Sequence, residues 1–158
     1  AALSAFVGQN LGAGKPERVK RGYLSALAMA GVIALATTIT VALFGRELIA
    51  LFNTDPEVIT IGASYLIIVG SFYPIFAWMF ITNGVLRGAG DTLIPMFFSV
   101  FSLWLIRVPV SSLLAQRMGT NGIWWGIPIA WTIGALLGFG YFLSGRWKRR
   151  SIIPTTKK

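Results

Sequence analysis

The sequence predicts an all-α protein, a polytopic transmembrane helical bundle, and three observations predict it. Four stretches, at about 22–45, 58–86, 92–116 and 123–145, are long and almost free of charge. Lysine and arginine gather on alternate connections between them. The composition, with 55% hydrophobic and 12% charged residues among 158, lies far from that of a soluble domain.

An α-helix rises ~1.5 Å per residue, so a hydrocarbon core of roughly 30 Å needs about 20 apolar residues. Gly22 to Gly45 carries no charge over 24 residues, Val58 to Leu86 none over 29, and Met118 to Gly145 none over 28. Thr92 to Gln116 contains only Arg107 over 25. Strands of a membrane barrel would alternate polar and apolar residues, whereas Leu27 to Ala36 is apolar on every face.

Taken in order, residues 1–12 read as the end of a truncated transmembrane helix, because the apolar run Ala1 to Leu11 is too short to cross. Residues 13–145 hold four transmembrane helices. The first begins after the basic stretch Lys15 to Arg21 and is followed by Arg46 to Asn53, which reads as a short helix lying on the membrane surface. The second opens on Asn53-Thr54-Asp55-Pro56-Glu57, where Thr54 or Asp55 serves as the cap, Pro56 suits the first turn and Glu57 favours the positive helix end. Pro74 falls in the middle of this span and predicts a kink, and Pro109 predicts the same in the third. In the fourth, Gly134 and Gly138 form a Gly-x-x-x-Gly that permits close helix contact. Two similar glycine turns, Gly12-Ala13-Gly14-Lys15 and Gly88-Ala89-Gly90-Asp91, read equally as helix C-caps or as the trace of a repeat. Residues 146–158 form a basic tail.

Cytoplasmic loops retain lysine and arginine. Eleven of the 14 lie in Gly12 to Arg21, Arg87 to Asp91 and the tail, and only Arg46 and Arg117 lie in the opposite connections. The first set is therefore placed in the cytoplasm, with a cytoplasmic C-terminus, in a multi-pass protein of the cytoplasmic membrane. Trp124, Trp125 and Trp147 fall where interfacial indoles belong. The net charge of +9 is then explained by loop and tail anchors beside lipid, and no nucleic-acid partner is expected.

Catalytic motifs fail one by one. Gly88-Ala89-Gly90-Asp91 matches the Gly-x-Gly-Asp of intramembrane aspartyl proteases, but no second carboxylate lies in a span. Gly12-Ala13-Gly14-Lys15 lacks the Ser or Thr and the preceding strand of a phosphate loop. With no histidine and no cysteine, zinc ligands, a thiol nucleophile and an imidazole base are missing, so neither enzyme activity nor a metal or other cofactor is expected.

Gly8-Gln9-Asn10-Leu11-Gly12-Ala13-Gly14-Lys15, Leu86-Arg87-Gly88-Ala89-Gly90-Asp91-Thr92, Arg107-Val108-Pro109 and Gly122-Ile123-Trp124-Trp125-Gly126 occur in this order and spacing. Together they resemble the C-terminal lobe of multidrug and toxic compound extrusion transporters, over residues 1 to about 147. The resemblance implies a two-lobe secondary transporter of six plus six helices, of which this chain is a C-terminal lobe fragment from the end of the eighth helix through the twelfth. It implies efflux of cationic amphipathic drugs in exchange for Na+ or H+, with membrane lipid and an N-terminal lobe of the same polypeptide as partners. Some members carry an acid in the tenth helix, and Val58 to Leu86 has none, so the coupling site is expected elsewhere. A lipid-linked saccharide flippase of the same superfamily is the alternative; it would line its cavity with arginines, and only Arg107 qualifies here.

An antiporter of this kind needs polar and aromatic groups facing a cavity. The second span supplies Tyr65, Phe72, Tyr73, Phe76, Met79, Thr82 and Asn83, from which Tyr73, Phe76, Thr82 and Asn83 are taken as substrate-binding, since aromatic faces attract organic cations and an amide at membrane depth needs a partner. Arg107, the one charge inside a span, costs at least ~2.5 kcal/mol there unless satisfied. It is read, with Pro74 and Pro109, as structural or coupling rather than as a contact for cations.

Overall fold

The computed structural model describes residues 2–147, so the predicted basic tail beyond Trp147 lies outside the described residues. The elements are helical throughout: α1 (Ala2–Gly12), α2 (Pro16–Ala50), α3 (Pro56–Gly70), α4 (Tyr73–Gly88), α5 (Leu93–Val100), a π-helical segment (Phe101–Ile106), α6 (Arg107–Met118) and α7 (Thr120–Leu143). Three helices are long and apolar enough to cross a membrane, Pro16–Ala50, Leu93–Met118 and Thr120–Leu143, and α3 and α4, bent by 50° at the break between them, meet the same criterion only when taken together. This is a multi-pass arrangement. The end carrying Lys15, Arg87 and Arg146 is called the basic end below.

The two glycine turns at the basic end have the same geometry. Gly14 and Gly90 adopt φ of 68° and 89°, which glycine reaches without the Cβ penalty. The Lys15 N–H donates to the Asn10 carbonyl at 2.8 Å and the Asp91 N–H to the Leu86 carbonyl at 3.1 Å, the six-to-one bond of a Schellman cap. Of the two capping groups considered at the start of α3, Asp55 is the one used: its Oδ1 accepts from the Glu57 N–H at 2.8 Å, with Pro56 in the first turn.

Four expectations, three about helix shape and one about an indole, meet the structure in different ways. Pro74 does not kink a continuous helix. The span breaks at Ser71–Phe72, bends by 50°, and restarts at Tyr73, so Pro74 sits in a first turn where its missing N–H leaves no acceptor unmatched. At Pro109 the third span stays continuous from Leu93 to Met118, with its helical geometry altered to a π-helical turn, Phe101–Ile106, just before the helix that carries the proline. The π-helical turn immediately before α6 shifts acceptors from i−4 to i−5, which relieves the clash that the ring makes with the carbonyl of Leu105. Of the short helix expected at Arg46 to Asn53, the part up to Ala50 is a helical segment set off from the rest of α2 by a kink at Phe44, whose φ of −122° and ψ of 15° are non-helical. Trp147 is not an interfacial indole: it is 2% exposed, stacks on Phe142 with ring centroids 5.2 Å apart, and donates its N–H to the Phe142 carbonyl.

Helix α7 is the hub, packing against α3, α4, the π-helical segment and α6. The reason is a seam of small residues four apart, Gly122, Gly126, Ala130, Gly134 and Gly138, all buried. Sequence reasoning saw only the last two. A Cβ at Gly122 would lie 2.3 Å from the Leu114 carbonyl group, and one at Gly126 would lie against Ser111 Oγ. At Gly134 it would meet Met79 Sδ and Ser102 Oγ, both at 2.8 Å, and at Gly138 it would meet Asn83 Oδ1 at 3.1 Å. Without a hydrophobic drive between helices in lipid, such close backbone approach is what holds them together. At the basic end, α1 packs on α4 through Gly88, where a Cβ would lie 2.5 Å from the Ser4 carbonyl oxygen.

Candidate functional site

The four residues singled out on the second span divide into two pairs on different faces of α4. Thr82 is fully buried and Asn83 is 8% exposed, both inside the helix packing. Tyr73 and Phe76 are partly exposed and line an apolar groove of about 300 Å³ with Ala30, Ile33, Ala34 and Thr37 from α2 and Phe80 from α4.

Thr82 belongs to a closed hydrogen-bond relay that the sequence did not reveal. Its hydroxyl donates to the Trp78 carbonyl at 2.8 Å, which uses its one hydrogen. The Tyr23 hydroxyl, 2.9 Å away, therefore donates to Thr82 Oγ1, and Tyr23 in turn accepts from the Trp78 indole N–H at 3.2 Å. The relay fastens α2 to α4 beneath the groove. Tyr23→Phe removes one acceptor and one donor from a buried site, so an expected loss of about 1–3 kcal/mol should appear as a lower melting temperature of the purified protein. An unchanged melting curve would mean that the relay is dispensable.

Asn83 faces α7. Its Oδ1 and the Ser102 Oγ are buried, have no hydrogen-bond partner among the described residues, and stand over Gly138 and Gly134 respectively. The helix contact predicted at Gly134 and Gly138 thus sets Asn83 and a serine of the π-helical segment against neighbouring turns of α7, which no local sequence pattern announced.

An aromatic seam joins the bent span to α7. Tyr65 meets Trp124 edge-on at 5.0 Å, and Phe72 meets Trp125 at 5.7 Å. Trp131 contacts Tyr73 at 6.4 Å and Phe76 at 4.7 Å. Rings at these distances present quadrupole faces and edges to one another and, where exposed, to an organic cation. Trp131 was missed by sequence reasoning. The signal for it was an indole midway along a charge-free span rather than at its ends.

Arg107 lies apart from this seam, half-buried in a second cavity of about 440 Å³ lined by Leu103, Trp104, Val108, Ser111 and Ile123. Among the described residues, no hydrogen bond or ion pair reaches its guanidinium. Pro74 and Pro109 shape the helices at Phe72 and at the π-helical segment, as described above, and bring no polar group to either cavity.

Residues 1–113 match a family profile described as MatE. The chain is 34% identical to Probable multidrug resistance protein YpnP of Bacillus subtilis over 93% of its own length and 33% of that protein. It is 32% identical to Probable multidrug resistance protein NorM of Thermotoga maritima, over 96% of this chain and 33% of that one, and 32% identical to Multidrug resistance protein MdtK of Yersinia pseudotuberculosis, over 86% and 31%. The chain thus spans about a third of the length of these curated relatives. A solved structure titled as the inward-facing conformation of a multidrug resistance MATE family transporter of the MOP superfamily superposes with a TM-score of 0.77 at 22% identity, covering 98% of this chain and 36% of that one. That likeness is one of fold.

Proposed function

The chain belongs to the multidrug and toxic compound extrusion (MATE) family, and from that premise we propose that it forms part of the C-terminal lobe of a multidrug efflux transporter. Residues 1–12 end one transmembrane helix and 13–145 supply four more. The basic end faces the cytoplasm, and the whole protein exchanges Na+ or H+ for cationic amphipathic drugs across the cytoplasmic membrane.

One observation carries the drug-binding part of this reading. Tyr73, Phe76 and Trp131 form a partly exposed aromatic wall beside an apolar groove whose lining carries no charge, and Phe80 at its edge already lies under the Arg87 guanidinium, 5.7 Å from the ring centroid. A delocalised organic cation is held there by ring faces and apolar contact, and released readily because no fixed anion grips it. Tyr73 and Phe76 are the contacting members of the original four, while Thr82 and Asn83 act from below by fixing α4 against α2 and α7. Coupling draws on an acid elsewhere in the polypeptide, because Glu17, Glu47, Asp55, Glu57 and Asp91 all fall in connections or at helix ends.

The test is ethidium efflux by the intact protein under an imposed sodium or proton gradient. Phe76→Ala combined with Trp131→Ala is expected to weaken apparent ethidium affinity roughly tenfold, from two lost cation–π contacts of about 0.5–1 kcal/mol each plus lost apolar burial. Wild-type protein that expels no cation under either gradient would remove the efflux reading, and translocation of a saccharide lipid instead would favour the flippase.

A further inference from the structure

The break between α3 and α4 is closed from another helix. In a continuous helix the N–H of residue 74 would donate to the Gly70 carbonyl, and Pro74 has no N–H to give. Thr38 of α2 supplies a donor in its place: its hydroxyl reaches the Gly70 carbonyl at 2.6 Å. The neighbouring threonines of α2 behave differently. Thr37 and Thr40 turn their hydroxyls back to their own helix, to the Ile33 and Ala36 carbonyls, each at 2.9 Å. A carbonyl freed at membrane depth has no water to turn to, and a threonine on an adjacent helix is one of the few groups that can match it.

The bond sits at a close approach of the two elements. A Cβ at Gly70 would lie 2.9 Å from Val41 Cγ1 and 3.7 Å from the Tyr73 ring. Ser71, next to the break, spends its own hydroxyl on the Ile67 carbonyl within α3 at 2.6 Å, so it does not compete for Gly70. Phe72, at φ −105° and ψ 8°, carries the change of direction. Immediately beyond it, Tyr73 and Phe76 form one side of the apolar groove, and Ala34 and Thr37, a turn or less before Thr38, form the other. A bond from Thr38 to Gly70 therefore ties the two sides of the groove together at one end.

We propose that Thr38 is a positioning residue for the aromatic wall. Its hydroxyl stands in for the N–H that Pro74 lacks, fastens α2 to the break, and sets the spacing between Tyr73 and Phe76 and the facing side of α2. This role rests on the efflux reading above and adds to it the residue that holds the groove in register. Because the donor comes from α2, the bend between α3 and α4 cannot change unless α2 follows or the bond breaks.

Three measurements on the intact protein test this: ethidium efflux, thermal melting, and the distance between spin labels at Glu57→Cys and Arg87→Cys. Both labelled positions are exposed, at the far ends of α3 and α4, and read the bend without any drug. Thr38→Val keeps the side-chain shape and loses the donor. It is expected to raise the apparent KM for ethidium about fivefold, to change the maximal rate by less than about twofold, and to broaden the label distances. Thr38→Ser, which keeps the donor, and Thr40→Val, whose hydroxyl serves its own helix, are expected to match wild type in all three.

Pro74→Ala separates position from stability, since it returns an N–H for the Gly70 carbonyl from α4 itself. Added to Thr38→Val, it is expected to recover the melting temperature but not the KM, because α2 stays untied. If Thr38→Val accumulates poorly, Pro74→Ala alone is read instead: the new N–H competes with Thr38, and a raised KM without a lower melting temperature is expected. A Thr38→Val protein that melts lower but keeps wild-type KM and label distances overturns the proposal and confines Thr38 to holding the fold. Thr38→Ser behaving like Thr38→Val overturns it too, and so does a double variant that recovers KM along with melting. Wild-type protein that expels no ethidium removes the efflux reading, and label distances left unchanged by Thr38→Val then refute Thr38 as the residue that sets the bend.

Discussion

Replacing Gly122 by alanine is expected to strip the membrane of most folded protein, although the change adds a single methyl group. A Cβ at this position would lie 2.3 Å from both the carbonyl carbon and the carbonyl oxygen of Leu114 and 2.5 Å from the Ala115 nitrogen. All three are backbone atoms of α6, so no rotamer change makes room. Overpacking a core typically costs about 1–3 kcal/mol where side chains can adjust. Here the whole α6–α7 hairpin must separate, and the expected cost lies above that range. The turn at Gly119, held at a φ of 58°, leaves little slack between the two helices. Gly140→Ala on the same helix is the control: nothing lies within 4 Å of its would-be Cβ, and the substitution should gain up to about 1 kcal/mol of helix propensity. Detergent extraction followed by size-exclusion chromatography and thermal melting compares the two. If Gly122→Ala elutes and melts like Gly140→Ala, the close crossing of α6 and α7 is not present in the membrane.

The same seam illustrates how far local reasoning reached. Charge-free length alone located the long apolar helices, because burial in lipid imposes one requirement on every face of a helix and that requirement is visible residue by residue. The glycine period of four was equally visible from Gly122 onward, yet only Gly134 and Gly138 stood out, since Ala130 interrupts the run of glycines without interrupting the run of small residues. The break at Ser71–Phe72 was displaced to Pro74 for a physical reason. A proline marks either the interior of a kinked helix or the first turn of a new one, and which applies depends on where the helix begins. The π-helical segment Phe101–Ile106 carries no composition of its own, and its buried Ser102 becomes intelligible only against Gly134 on another helix.

The candidate site divides along the same line. Tyr73 and Phe76 were found because aromatics at helical spacing can be read along one segment. The partners that give them a role, Trp131 on α7 and Ala34 on α2, are joined to them by packing rather than by pattern. Thr82 was taken as a substrate ligand as one of the polar residues at helical spacing on the second span, and its hydroxyl has two partners inside the protein, Tyr23 and the Trp78 carbonyl. Arg107 was identified from the opposite logic, as a charge where none belongs, and among the described residues no ion pair or hydrogen bond meets it.

Asp91→Ala is expected to be the most damaging single change at the basic end. Asp91 was read as a loop acid, yet it is 1% exposed and accepts a hydrogen bond from the Tyr141 hydroxyl. The Schellman turn at Gly90 presents it: the positive φ there reverses the chain so that the residue after α4 points back at the last turns of α7. This ties the α4–α5 connection to α7 at the point where Phe142 and Trp147 close over Tyr23. Hydrogen bonds to charged groups contribute about 1.5–3 kcal/mol, and removing the carboxylate takes that acceptor from a half-buried phenol. Asp91→Ala and Tyr141→Phe should therefore each lower the melting temperature, and the double variant should be scarcely worse than Asp91→Ala alone. The expected coupling is about 1.5–3 kcal/mol. In a transporter that opens alternately to each side, the consequence would be functional as well. With the clamp broken, α4 and α7 lose their common anchor at the basic end, and efflux should fall further than protein abundance does. Strictly additive effects of the two substitutions would show that Asp91 and Tyr141 act separately, and efflux falling only in step with abundance would confine the pair to holding the fold.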